Sequence, residues 1–199
     1  MLYACLINRE NPDLVLFGGD IVDRSLRPVL AGDYAAEFRR IQAPVLAIPG
    51  NHEYYCDMEG SKQFYATAGI RLLRDSVCTC QGITIIGRDD RNNPQRKPLA
   101  ALADSLQGFT ILLDHQPYHL EEAEAAGIDF QFSGHTHHGQ VWPVSWATDL
   151  LFEKAWGHHS RGNTRYYITS GLGLWGPKIR IGTRSEYLVL HLETKEDDR

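Results

Sequence analysis

Short apolar runs separated by polar turns set the pattern of the chain. Residues 14–17 (Leu-Val-Leu-Phe), 45–48 (Val-Leu-Ala-Ile), 83–86, 109–113 and 130–133 are stretches of strand length built mainly of aliphatic and aromatic residues, too short for a buried helix. Between them the period changes. Asp33 can cap a helix running to Ile41, with Tyr34, Phe38 and Ile41 at helical intervals. Ser61 can cap another running to Ala68, with Gly69 as its left-handed stop. Residues 99–106 and 121–126 also read as helices, the second closed by Gly127, and residues 2–9 read as the end of a helix before the breaker Asn11-Pro12-Asp13. Further strands are expected at 70–74, 77–80, 166–170 and 187–192, with a hairpin around Gln81-Gly82, a polar loop over 87–98 and a glycine-rich turn over 171–177. Helices alternate with apolar strands early in the chain, and strands dominate its last third. That order predicts an α/β fold of layered, mixed sheets. No repeat or linker interrupts it, so residues 1–199 are expected to form a single domain.

Composition narrows the class. The chain has 199 residues, 43% hydrophobic and 23% charged, which is ordinary for a globular protein with an ample core. Its net charge of -5, without any run of like charge, argues against nucleic-acid binding and against general adhesion to anionic membranes. Only the tail over 193–199 is charge-dense, and it reads as a frayed end. No stretch approaches the ~18 apolar residues that span a bilayer. The N-terminal residues lack a cationic region and a cleavage site, so no signal peptide is expected and the chain reads as cytoplasmic or membrane-peripheral. Cys5, Cys56, Cys78 and Cys80 form no Cys-x-x-Cys; Cys78 and Cys80 alternate along one strand face, and all four read as free thiols of a reducing compartment.

The candidate chemistry lies where the strands stop. Asp20, Asn51, His115 and the His135/His137 pair each follow an apolar run. In α/β sheets ligands collect beyond the carboxyl ends of strands, so four strands of a single sheet would bring these residues together. A carboxylate can bridge two ions, and imidazoles suit zinc, iron and similar metals. Each residue alone has a plain alternative: Asp20 and Asn51 as turn residues beside glycine, His115 as a strand-end residue before Gln116-Pro117. The tryptophans Trp142, Trp146, Trp156 and Trp175 either line a cleft or, the favoured reading, pack the second sheet and its loops. Arg88 and Arg91 either meet a substrate phosphate or form surface ion pairs.

Taken together, Gly19-Asp20-Ile21-Val22-Asp23, Gly50-Asn51-His52-Glu53, Asp114-His115 and Gly134-His135-Thr136-His137 resemble the Gly-Asp-x-x-Asp, Gly-Asn-His-Glu, single-His and Gly-His-x-His motifs of the calcineurin-like metallophosphoesterases. Gly87-Arg88-Asp89-Asp90, Gly139-Gln140 and Gly173-Leu174-Trp175-Gly176-Pro177 resemble a bacterial subgroup whose full-length members often carry N-terminal membrane helices. The resemblance implies a four-layer αββα sandwich of two mixed sheets and two divalent metal ions, Mn, Fe or Zn. Asp20 would bridge the ions; Asn51, His115 and His135 would complete the second site, and His137 would bind the first. His52 would act as general acid or charge stabiliser beside the leaving group. Asp23 and Glu53 would hold loop or histidine geometry, and Asp114 would orient His115. A metal-bound hydroxide would attack a phosphodiester or phosphomonoester in line, the substrate being a small molecule or a lipid. Metallo-β-lactamase-type hydrolases also use His-x-His but follow it with Asp-His, whereas His138-Gly139-Gln140 stands here.

The sequence also departs from the family. Nothing before Asp20 contains the family's opening Asp-x-His. The first site is therefore expected to be weak or empty, with only Asp20 and His137. The sheet would lack its first strand, and its exposed edge would offer a dimer contact. A metal-binding domain truncated at its N-terminus and impaired in catalysis is the alternative reading. Among other histidines, His138 and His119 are candidates to approach the site, His158-His159 reads as a solvated loop pair, and His191 falls in the last strand.

Overall fold

A computed structural model describes residues 2–104 and 106–193. Most of the charged tail, and Ser105 within the helix expected over 99–106, lie outside the described residues.

Alternation along each strand builds the layers. In β2 (Val45–Ala47), Val45 and Ala47 face one side, while Leu46 and the following Ile48 face the other. The first side packs against α1 (Leu2–Arg9), α2 (Leu26–Ala31), α3 (Tyr34–Phe38) and α5 (Met58–Thr67) through Ala4, Val29, Phe38, Phe64 and Tyr65. The second side meets Leu16 of β1 (Val15–Phe17) and, from the other sheet, Ile85, Ile111, Leu113 and Phe130. Ile86, Leu112, Tyr166 and Ile168 point out of that sheet's far face, under α6 (Leu99–Leu102) and α7 (Glu121–Ala125). Helix, sheet, sheet and helix thus stack as the αββα sandwich that the resemblance implies. Fully burying such aliphatic side chains contributes about 1.5–3 kcal/mol each, so the three clusters hold the layers.

The first sheet runs β1-β2-β3, with β3 at Arg71–Leu72, all parallel. The second contains β4 (Ser76–Cys80), β5 (Ile83–Gly87), β6 (Thr110–Leu113), β7 (Phe130–Ser133), β8 (Gly157–Arg161) and β9 (Thr164–Ile168), in the order β4-β5-β6-β7-β9-β8. It is mixed: its centre is parallel and both edges are antiparallel. The β4–β5 hairpin turns where expected, with Gln81 at φ 51° and Gly82 at φ 76°. Cys78 and Cys80 face the inter-sheet core together, and all four cysteines are free. No helix among the described residues is long and apolar enough to cross a membrane.

Several elements differ from expectation. α5 begins after Asp57, whose carboxylate accepts from Gly60 N; Ser61 lies inside the helix and donates its hydroxyl to the Asp57 carbonyl. α3 follows Asp33 but ends at Phe38, and the Asp33 side chain makes no cap bond. α2, α4 (Asn51–Cys56) and α8 (Val144–Leu151) were not expected as helices. His158 and His159 belong to edge strand β8, not a loop: His158 packs on Tyr167, and His159 reaches Glu153. Residues 187–192 are mainly apolar and of strand length yet form no strand, and His191 there is exposed. A strand needs a ladder partner, and the outer edge of β1 is likewise unpaired among the described residues.

Candidate active site

β1 and β2 of the first sheet, and β6 and β7 of the second, end at the same seam. The site thus draws on two sheets rather than the single one expected. The inter-sheet core holds them face to face, so parallel strands from both deliver their carboxyl ends to one place. Two glycines allow the loops to close in. Gly19 has φ +98°, and a Cβ there would lie 2.7 Å from both Gly50 N and His115 Nδ1. A Cβ on Gly50 would overlap the Asp20 carboxylate. Asp20, His135 and His137 adopt φ of 56°, 68° and 47°. This left-handed backbone costs of order 1 kcal/mol per non-glycine residue, and it gathers here at candidate ligands.

Four of the expected ligands converge. His115 Nε2 lies 2.9 Å from Asp20 Oδ2 and 3.1 Å from Asn51 Oδ1. The same Asn51 oxygen lies 2.7 Å from His135 Nδ1. The ligand atoms of Asp20, His115 and His135 all fall within 4.8 Å of one another. His115 Nδ1–H donates to the Gly18 carbonyl at 2.6 Å, which leaves Nε2 as the nitrogen turned to the site. One carboxylate, one amide oxygen and two imidazoles are a donor set that fits a first-row divalent cation. His137 stands outside this group, and its buried Nδ1 has no hydrogen-bond partner. Leaving such a nitrogen unpaired costs about 1–3 kcal/mol, which a bound ion would relieve.

The electrostatics divide the histidines. Burial, with His115 nearby, pushes His135 down to about 4; burial, with Arg180 nearby, does the same to His137. Both are neutral near pH 7. Burial would also lower His115, but the charge and hydrogen bond of Asp20 outweigh it and raise His115 to about 9. Burial raises Asp20, yet His115 and His52 pull it down to about 2. Without an ion, then, His115 is an imidazolium paired to Asp20. The raised histidine contributes stability below its ordinary 6.5 and loses it as pH climbs through about 9; the depressed carboxylate contributes above 3.8 and loses it as pH falls through about 2. A cation must displace the His115 proton. Titration calorimetry with Mn²⁺ near pH 7, in buffers of different ionisation heat, is expected to show about one proton released per ion, with affinity rising as pH approaches 9. A proton count near zero would contradict this reading.

The supporting residues are mostly where expected. His52 Nδ1 lies 2.8 Å from Asp23 Oδ1, and its Nε2 lies 4.0 Å from Asp20 Oδ2. Glu53 is fully buried and accepts from Gly50 N, Asp20 N, Val22 N and Tyr65 OH, tying the Asp20 and Asn51 loops together. Asp114 differs. It takes Arg88 and Arg96, while Gly18 orients His115. Arg88 is accordingly buried, and Arg91 lies over the Tyr118 ring at 4.6 Å. His138 stacks on Trp156 at 5.1 Å and faces Asp149, and His119 pairs with Glu121, so neither joins the ligand group. The four tryptophans are exposed instead of packing the second sheet. Arg180 had no signal in the sequence; it donates to the carbonyls of Ser170, Gly171 and Gly173, beside His137.

Comparison with known proteins agrees with this geometry. The chain is 32% identical over 197 residues to an uncharacterized metallophosphoesterase of Helicobacter pylori strain J99, covering 95% of this chain and 53% of that protein. It is 30% identical to an uncharacterized metallophosphoesterase of Aquifex aeolicus, covering 94% and 75%. It is 31% identical to a Danio rerio transmembrane protein with metallophosphoesterase domain, covering 91% and 46%. The chain thus spans about half the length of two of these relatives. The crystal structure of a 5'-nucleotidase precursor from Thermus thermophilus superposes with a TM-score of 0.54 at 15% identity, covering 84% of this chain and 42% of that one, and so shares the fold. The family model for calcineurin-like phosphoesterases matches residues 2–139, a span that holds every ligand candidate described above, and the chain belongs to that family.

Proposed function

We propose that the chain hydrolyses a phosphate ester, a monoester or diester of a small molecule or lipid, at a divalent-metal centre. Asp20, Asn51, His115 and His135 would hold one ion, and His137 would help to hold a second. The observation that supports this most is the convergence of four ligand candidates from four strand ends, with His115 Nε2 fixed inward by the Gly18 carbonyl. Bound divalent ions would polarise a phosphoryl oxygen and activate water. The chain supplies the rest. Its neutral His135 and His137 need lose no proton near pH 7. The inter-sheet seam holds the reacting groups in one rigid frame. His52, oriented by Asp23, presents Nε2 toward Asp20 and, when protonated, gives its proton to the leaving oxygen.

The position of His137 outside the ligand group favours a second reading, a single-ion protein with little turnover. One experiment separates the two. The purified chain, loaded with Mn²⁺, is assayed against an aryl phosphodiester and an aryl phosphomonoester while bound metal is counted. Turnover that chelation abolishes and Mn²⁺ restores supports the hydrolase. One ion per chain with no turnover against either ester supports the single-ion reading.

A further inference from the structure

The most protruding apolar side chains gather beside the candidate site. α8 is turned inside out: Ser145 and Thr148 face the protein, while Trp146, Ala147, Leu150 and Leu151 face solvent. At 100° per residue those four cover one continuous arc opposite Ser145 and Thr148. Leu150 is 88% exposed and Leu151 72%, the largest values among the described large hydrophobics. Trp142 extends the face. Its ring meets Trp146 at 5.7 Å, and its backbone N–H donates to the Ile181 carbonyl at 2.7 Å. Exposed Ile181 therefore adjoins this face, and exposed Trp175 and Ile179 lie in the segment that leads to it. Single exposed apolar residues need no explanation, but a contiguous patch of this kind marks an interaction surface.

Charge and position suggest what the face meets. Lys178 and Arg184 are exposed in the same segment, two cations against the single carboxylate of α8 on a chain of net charge -5. The acidic residue on α8, Asp149, is faced by His138 at 3.6 Å. The patch is also continuous with the site. Gly139 lies against the backbone of Val144 and Ser145, and the Gln140 side chain bonds Trp175 and Pro177.

We propose that this face docks the protein on an anionic lipid bilayer. Trp142, Trp146 and Trp175 lie at headgroup depth, where indole is favoured; Leu150 and Leu151 enter the acyl boundary; Lys178 and Arg184 meet lipid phosphates. Side chains this exposed protrude, which suits insertion into a fluid layer. Docking would hold the His135–His137 turn against the membrane surface. The overall negative charge disfavours spread electrostatic adhesion, not a local apolar anchor with two cations.

Binding is read without turnover, so this proposal and the hydrolase reading fail separately. The full chain is sedimented with vesicles of phosphatidylcholine and phosphatidylglycerol, and with phosphatidylcholine alone. Preferential binding to the anionic vesicles, with a blue shift of tryptophan fluorescence, is expected. Leu150→Asp with Leu151→Asp should reduce the bound fraction about tenfold or more at an unchanged thermal midpoint, because both side chains are exposed. Lys178→Glu with Arg184→Glu should remove the preference for the anionic lipid. No binding by the unmodified chain, or equal binding by the double-aspartate variant, overturns the proposal. A dimer in light scattering that the same variant dissolves assigns the face to a second copy and overturns it too.

Discussion

Asp20→Ala is expected to lower kcat/KM on an aryl phosphate ester by at least about a thousandfold, some 4 kcal/mol of transition-state stabilisation, and to strip bound metal from the chain. The size follows from how many roles this side chain combines. Its Oδ2 lies 2.9 Å from His115 Nε2, and its Oδ1 accepts the His52 backbone N–H at 3.0 Å. It is also the carboxylate of the ligand group, so removing it takes away the negative charge that draws a cation among the imidazoles. His115 then loses the partner that keeps it protonated, and burial drives it neutral instead. That adjustment limits the stability loss, because a buried histidine can shed its charge rather than stay unpaired. The variant should therefore fold, and loss of activity will not mean loss of structure. Asp20→Asn separates charge from shape. It keeps an oxygen for the His52 N–H, and it should still lose most of the metal. His158→Ala, on the edge strand β8, is the control and should keep both metal and activity. Metal content and turnover measured on the three variants give the answer. Asp20→Ala activity within a few-fold of the unmodified chain would falsify the assignment.

What the sequence makes legible, and what it hides, follows from how local each cause is. The runs at 14–17, 45–48, 109–113 and 130–133 became β1, β2, β6 and β7 because alternate residues face buried layers on both sides; in β7 the second face is polar, Gln131 and Ser133, buried and hydrogen-bonded to each other. The ligand candidates were legible for the same reason: a lone polar residue after each run stands out. The helices that escaped notice lack the usual stripe. α2 begins at a Ser25 cap and carries Pro28 in its first turn. α4 begins inside Gly50-Asn51-His52-Glu53, which reads as a turn until Glu53 reaches back to Gly50 N. α8 faces its apolar residues outward, so its pattern points away from any core. Residues 187–192 show the opposite failure. Their apolar run has the length and residue types of a strand, but pairing depends on a neighbour that local pattern cannot supply. The orienting contact of His115 was hidden too, since a backbone carbonyl such as that of Gly18 has no sequence signature.

Glu53→Ala is expected to be the most damaging substitution for stability, costing about 3–5 kcal/mol, with a matching fall in the urea midpoint and no change in slope. Glu53 touches no candidate ligand side chain, so its role is to hold backbone. Its Oε2 accepts Gly50 N at 2.7 Å and Asp20 N at 3.1 Å; its Oε1 accepts Val22 N at 2.9 Å and Tyr65 OH at 2.6 Å. The carboxylate is fully buried and is met by these four donors. Hydrogen bonds to a carboxylate are shorter and stronger than those to a neutral acceptor. Alanine strands all four donors in a place water does not reach, at about 1–3 kcal/mol each before relaxation. Glu53→Gln gives a sharper test than alanine, because it keeps the volume. An amide offers one acceptor oxygen where the carboxylate offers two, and its NH₂ opposes donors at the other position. Glutamine should therefore recover less than half of the alanine loss, whereas a mere packing role would let it recover nearly all. Tyr65→Phe removes one donor and should cost about 1–2 kcal/mol, less in the Glu53→Gln background, where that donor already has no charged partner. Because two of the four donors are the backbone N–H groups of Gly50 and Asp20, each of these losses should also appear as weaker metal binding, even though no ligand atom has been changed.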